Sequence, residues 1–314
     1  MGKTTDKPVG MIPQKRDEII IAALYDYGGV LTGNHLRRMF WQGARTDRAM
    51  RRRLAKLCHA GYLSRPTSIQ RRFHYIPKSS VYWLGWRGAL EVAGKKGIYV
   101  APPKTITTYH LRMLKNRLKQ ERVYWLSTPH WSSLPHDLKV VDFRFVIERE
   151  VAMYQQLEIE NCIHETTFRS DSDVIKIQGK NRKMWIDLHF EIVDKSLRGR
   201  GEPHRARFNL EYETGSRDNP KFGIDKVLPP IKYIDSAAYK TRFGANHGLW
   251  LIVVSGEEKM KNRIRRTEQV AGADANLFFF TTESKFKAGR PLSSPIWQQV
   301  GQSKPIPLIP TKEA

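Results

Sequence analysis

Three carboxylates sit where strand-like alternation would gather them. Residues 184–193 (MWIDLHFEIV) set Ile186, Leu188 and Phe190 against Asp187, His189 and Glu191; residues 206–213 (ARFNLEYE) set Phe208, Leu210 and Tyr212 against Asn209, Glu211 and Glu213. With a side-chain period of two, each stretch reads as a strand whose acidic residues share one face. Like charges packed together repel and raise one another's pKa. A divalent cation relieves that repulsion. Mg²⁺ or Mn²⁺ is held by one or two carboxylates with water and phosphate, so Asp187, Glu211 and Glu213 are candidate ligands of an ion that polarises a phosphate ester. The bland alternative is a solvated sheet face whose carboxylates pair with Lys and Arg.

Composition agrees with a phosphate-bearing partner. Lys and Arg number 54 against 31 Asp and Glu, a net charge of +23 that exceeds what solubility requires and implies a polyanion. Hydrophobic residues make up 40%, which excludes a basic disordered tail, and 314 residues suffice for two cores. Cys58 and Cys162 fall in segments read as different domains, so neither a disulfide framework nor a Cys-rich zinc site is expected, and a reducing cytoplasm fits. No apolar run approaches the roughly 18 residues of a membrane span, and the polar start lacks a signal-peptide core, so no membrane insertion is expected. Gly2-Lys3-Thr4-Thr5 lacks the Gly-rich turn and strand that would make it a phosphate-binding loop.

Those residues need elements to position them. In residues 15–97 the spacing predicts helices over 17–28, 32–41 and 46–60, with Ile20, Ala23 and Leu24, then Leu36 and Phe40, then Met50, Leu54 and Leu57 facing inward. Residues 71–76 and 81–84 read as a strand pair, and three helices with a hairpin make a winged helix. Arg45, Arg48, Arg51, Arg52, Lys56, Arg71 and Arg72 crowd the third helix and the wing, where they would meet guanine edges or phosphates of double-stranded DNA. A merely solvated Arg-rich face is the alternative.

Residues 98–130 read as a linker with a basic helix over 107–124 that either braces the two domains or lines a DNA channel. Residues 131–300 change to a mixed pattern. A helix over 137–155 precedes a strand over 157–164, the two acidic strands, a helix over 221–239, a strand over 249–254, a helix over 257–269 and a last strand over 277–281; residues 301–314 form a tail.

The order α-β-β-β-α-β, with Asp on the second strand and Glu-x-Glu on the third, resembles the restriction-endonuclease-like fold, whose motif is Pro-Asp followed by Asp/Glu-x-Lys. More closely, the chain is similar to the replication-relaxation family, which includes MobC-type plasmid relaxases and joins a winged helix to such a nuclease-like domain. Ala60-Gly61-Tyr62-Leu63, Trp83-Leu84 through Gly88, His136-Asp137-Leu138, Asp142-Phe143, Trp185-Ile186-Asp187, Asn209 through Gly215, and Lys226 with Tyr233 carry the likeness from about residue 17 to Trp297. Two positions depart from the wider fold: no Pro adjoins Asp187, and Glu213 stands where a Lys is usual.

The resemblance implies an α+β chain, an N-terminal winged helix-turn-helix and a C-terminal restriction-endonuclease-like domain. It would act as a metal-dependent relaxase that nicks one strand at an origin of transfer or replication during plasmid mobilisation, alongside other relaxosome or conjugation proteins. It assigns Lys226 the task of steadying charge on phosphate or orienting the nucleophile. His136 is a candidate acid or DNA contact, with a satisfied structural His as the alternative, and of Glu148 and Glu150 on the same helix Glu148 is the candidate carboxylate facing the metal. A relaxase normally stores bond energy on a Tyr, and the sequence does not choose among its 12. The rival readings are a non-enzymatic DNA-binding regulator of replication or relaxosome assembly, and a hub for conjugation factors.

Overall fold

The computed structural model describes residues 11–43, 45–73, 80–103, 106–197, 204–213 and 219–309. It is a mixed α/β fold in two compact units, Met1–Val141 and Asp142–Ala314. No helix among the described residues is long and apolar enough to cross a membrane.

The first unit runs α1 (Lys15–Asp26), β1 (Val30–Thr32), α2 (Gly33–Phe40), α3 (Arg48–His59), β2 (Leu63–Ser64), α4 (Ser68–Phe73), β3 (Val81–Leu84), α5 (Trp86–Lys95) and α6 (Thr108–Gln120). Ile20 and Leu24 of α1, Leu36 of α2 and Leu54 and Leu57 of α3 are buried, as their helical spacing requires. β3 lies between β1 and β2, antiparallel to both. The expected strand over 71–76 is therefore corrected. Its first residues belong to α4, residues 74–79 lie outside the described ones, and β3 pairs instead with Val30–Thr32 and Leu63–Ser64. The cause is local: the Thr67 hydroxyl accepts from the Gln70 amide (3.2 Å) while the Gln70 side chain accepts from the Thr67 amide (2.9 Å), a capping box that starts a helix.

Gly88 of α5 packs so closely that an added Cβ would overlap the Tyr62 carbonyl oxygen. Gly88→Ala gains at most about 1 kcal/mol of helix propensity. Driving a methyl into backbone costs more, so the variant should lose about 2 kcal/mol of stability in urea unfolding. Stability at or above wild type would show that α5 can move away.

The helix α7 (Leu134–Val151) contributes Leu134 and Leu138 to the first unit's core, beside Val30, Val81 and Leu126. This is why the division falls inside the helix and not near residue 130. The second unit continues with β4 (Leu157–His164), α8 (Glu165–Ser170), β5 (Val174–Ile177), β6 (Lys180–Lys183), β7 (Leu188–Asp194), β8 (Arg205–Glu213) and α9 (Asn219–Phe222). A π-helical turn (Gly223–Val227) leads into α10 (Leu228–Ile234), followed by α11 (Ala237–Phe243), β9 (Leu249–Val254), α12 (Glu257–Ala271), β10 (Phe278–Thr282), α13 (Glu283–Ala288) and β11 (Gln298–Gln299). Six strands form one mixed sheet in the order β11-β10-β9-β8-β7-β4, antiparallel from β4 to β8 and parallel from β8 to β10. The parallel steps need crossovers, supplied by α9 to α11 and by α12.

The sheet is covered on both faces. On one, Phe143 of α7 stacks on Phe286 of α13 (4.8 Å between rings) and meets Phe190. On the other, Trp250, Ile252, Val254, Phe278 and Phe280 join Phe168, Phe222, Tyr233 and Tyr239 in one core. The acidic face of β7 and β8 is thus interior, and the solvated-face alternative does not hold. The single strand expected over 184–193 is also corrected. β7 begins at Leu188, and a separate β5–β6 hairpin precedes it, turned by Gln178 and Gly179 at φ +48° and +76°. Two successive left-handed residues suit the tight two-residue hairpin turn.

Candidate functional site

Strand register assembles the site. β4 pairs His164 with Leu188 of β7, which pairs with Leu210 of β8. One residue further along, Glu165 just past the end of β4, Asp187 just before β7 and Glu211 on β8 stand abreast. The Glu165 amide donates to the Asp187 carbonyl (3.1 Å), and the Tyr212 amide donates to Asp187 Oδ2 (2.7 Å). Asp187 and Glu211 are buried, and all three acids line a cavity of roughly 400 Å³ at the C-terminal end of β8. In sheets with parallel strands, ligands enter at that end.

Lys226 completes the group. It comes from the π-helical turn Gly223–Val227, a local irregularity of the kind that re-aims side chains at functional sites, and it forms an ion pair with Glu211 inside the cavity. Burial pushes the Glu211 carboxyl up to about 7. Asp187 and Glu165 reinforce that rise, and Lys226 opposes it without cancelling it. Trp250 forms part of the wall, and its buried indole N–H has no acceptor among the described residues. The rim is cationic, with Arg169, Arg182 and Lys183.

Glu213 shares the face of Glu211 two residues on but does not line the cavity. Its carboxylate lies 3.7 Å from Lys259 Nζ, which also donates to the Glu213 carbonyl (3.3 Å). Among the described residues no three His, Cys, Asp or Glu side chains converge in a group that could hold a metal ion. Asp187 and Glu211 are nevertheless two buried carboxylates beside one cavity, and the strain on Glu211 is what a cation would relieve. Mg²⁺ or Mn²⁺, which keeps its own waters and takes one or two protein carboxylates, fits Asp187 and Glu211.

The remaining candidates lie elsewhere. His136 and Asp137 pair with each other (3.4 Å) in the first unit, and Ser133 Oγ donates to Asp137 (3.2 Å). Glu148 pairs with Arg144 (2.7 Å) and is absent from the cavity wall. Its neighbour Glu150 is buried and accepts from the Leu292 and Ser293 amides (2.8 and 2.9 Å), a structural clamp. Arg45, Arg48, Arg51, Arg52, Lys56 and Arg71 are exposed, and the Arg72 side chain lies outside the described residues. Arg51 leans on Asp47 (3.4 Å), while Arg53 turns inward to the buried Asp17 and leaves the cationic face.

Comparisons with protein-family models, characterised proteins and solved structures find no match to this chain.

Glu165, Arg169 and Trp185 are members of the cavity that sequence reasoning passed over. One signal was available for Glu165: an acid directly after the strand over 157–164 reaches the end of the sheet where Asp187 begins, if those strands pair antiparallel. Arg169 and Trp185 carried no such signal, because α8 and the hairpin that set them were not legible.

Proposed function

We propose that this chain is a relaxase-like DNA endonuclease that binds double-stranded DNA through its first unit and nicks one strand through its second. The reading extends to an origin of transfer or replication and to plasmid mobilisation, on the resemblance given above. The observation that carries the chemistry is the buried pair Asp187 and Glu211, with the half-buried Glu165 abreast of them, beside Lys226 in a cavity with cationic side chains on its wall. Asp187 and Glu211 would hold Mg²⁺ or Mn²⁺, which when bound polarises a phosphate ester. Lys226 places a positive charge where a phosphate oxygen gains negative charge, and Arg169, Arg182 and Lys183 attract the backbone. No tyrosine lines the cavity among the described residues, so water is taken as the nucleophile in this reading.

For the first unit, support comes from the order α1-β1-α2-α3-β2 to β3 with β3 central, the layout of a winged helix, and from the exposure of Arg48, Arg51, Arg52 and Lys56 along α3. Arg51→Ala and Arg52→Ala should each cost about 1–3 kcal/mol in duplex affinity where they read bases, and should flatten the slope of log K against log salt by about one where they meet phosphate. An unchanged affinity and slope in a salt titration would remove α3 from the interface.

A second reading, a non-enzymatic DNA-binding regulator, draws on the ion pairs Glu211–Lys226 and Glu213–Lys259, in which lysines already offset the acids. Supercoiled plasmid carrying the cognate origin decides between them. Nicked circles that appear only with Mg²⁺ or Mn²⁺ support the enzyme; binding without nicking under either ion supports the regulator.

A further inference from the structure

Trp185 and the β5–β6 hairpin, apart from Arg182 and Lys183 on the cavity wall, are not used by the chemistry above. The hairpin, residues 174–183 (VIKIQGKNRK), carries Lys176, Lys180, Arg182 and Lys183 and no acid. Ile175 is buried and anchors it. Arg182 is tied to the turn that bears Lys226, through the Ile224 carbonyl (3.3 Å) and the Asp225 carboxylate (3.1 Å). Lys176, Lys180 and Lys183 are exposed and make no ion pair among the described residues. The nearby acids are occupied, since Asp173 and Asp171 both face Arg242.

Beyond the hairpin, burial alternates: Met184 and Ile186 are buried while Lys183 and Trp185 are exposed. Lys183, Trp185 and Asp187 therefore follow one another along the cavity wall. Trp185 is 45% exposed, unusual for so large an apolar ring. It is also held in place, with Arg169 5.1 Å from the ring centroid and its N–H donating to Ser172 Oγ (3.1 Å). A rigid exposed indole beside the exposed Lys183, with Lys176 further along the hairpin, suits a ligand with a flat apolar face and a phosphate backbone. Unpaired nucleotides have both, whereas bases in a duplex present only their edges.

We propose that Trp185 and the β5–β6 hairpin form a ledge for single-stranded DNA, Trp185 stacking on an unpaired base and Lys176 and Lys183, which share the hairpin face opposite Ile175, meeting phosphates, next to Asp187. The assignment of the strand as substrate rests on the nuclease reading; the ledge itself rests on these residues alone. A locally opened strand would reach the cavity through it.

Fluorescence anisotropy of the full chain with a labelled oligothymidylate, an abasic strand of equal length and a duplex tests this. Wild type should prefer the thymidylate to the abasic strand by about ten-fold, the scale of one base–aromatic stack. Trp185→Ala should abolish that preference, Trp185→Phe should keep most of it, and Lys176→Glu with Lys183→Glu should weaken both strands alike. Melting curves identify a Trp185→Ala protein that fails to fold, in which case the Trp185→Phe and lysine variants carry the decision. A base preference untouched by Trp185→Ala, an equal loss on duplex, or no binding of either strand would overturn the ledge. Loss of nicking with the preference intact sinks the nuclease reading alone, and an abolished preference in wild type with nicking intact sinks the ledge alone.

Discussion

Glu211→Gln should leave duplex binding intact, reduce nicking of supercoiled origin plasmid by at least about 100-fold, and yield a more stable protein. The substitution keeps the shape of the side chain and removes its charge from the row beside Asp187 and Lys226. The gain in stability has a definite sign. Burial, with Asp187 and Glu165, raises the folded carboxyl to about 7 from the usual 4.5, so the folded state holds its proton more tightly than the unfolded chain does. Ionised Glu211 therefore costs stability, and the cost grows as pH rises from 4.5 through 7. With divalent ions chelated, the variant should exceed wild type by on the order of 2–3 kcal/mol at pH 8, and the two should converge near pH 4.5. Equal nicking at equal DNA occupancy removes Glu211 from the site. A variant less stable at pH 8 means that the pair with Lys226 outweighs the burial of the charge.

At the other end of the same face, Glu191→Gln should destabilise the second unit by about 3–5 kcal/mol without touching the cavity. Glu191 is fully buried between Arg205 and Arg207, whose Nε lies 3.1 Å from Oε1, and it also accepts from Asn161 Nδ2 (3.1 Å). Burial alone would raise its pKa. The neighbouring His189 (Nε2 3.6 Å from Oε1), Arg205, Arg207 and Asn161 overcome burial and hold it at about 2. A carboxyl depressed in the folded state contributes stability above its unfolded value of about 4.5, and that contribution is lost as pH falls through 4.5 toward 2. Wild type and variant should thus differ most at pH 7 in urea unfolding and approach each other near pH 2–3. A constant difference across that range would assign the effect to packing, and no difference at pH 7 would mean that the two arginines reach water when Glu191 is neutral.

Alternation along 206–213 placed Glu211 and Glu213 on one face opposite Phe208, Leu210 and Tyr212, because a strand's period of two is local and survives whatever packs on it. The helices over α1, α2 and α3 were legible for the same reason, since 3.6-residue spacing with Gly and acidic punctuation acts within a few residues. Failures came where the deciding partner was remote in sequence. At 71–76 the expected partner strand, β3, pairs instead with Val30–Thr32 and Leu63–Ser64, while the local Thr67–Gln70 capping box starts α4 there. Polar residues alternating with apolar ones suggested a wet face on β7 and β8, yet α9 to α12 cover it.

Charge, period and chain order are properties of neighbouring residues, and with them the sequence by itself determined a basic, folded chain with an exposed arginine-rich third helix and acids at matching phases of two strands. Tertiary structure alone decided which acids meet. Register between strands some 20 residues apart depends on the bulge between Glu160 and Ile163 and on the length of the hairpin insert, neither of which shows in the alternation. That register set Glu165 beside Asp187 and Glu211. The two acids then met different lysines: Glu211 pairs with Lys226 of the π-helical turn, and Glu213 lies beside Lys259 of the first turn of α12.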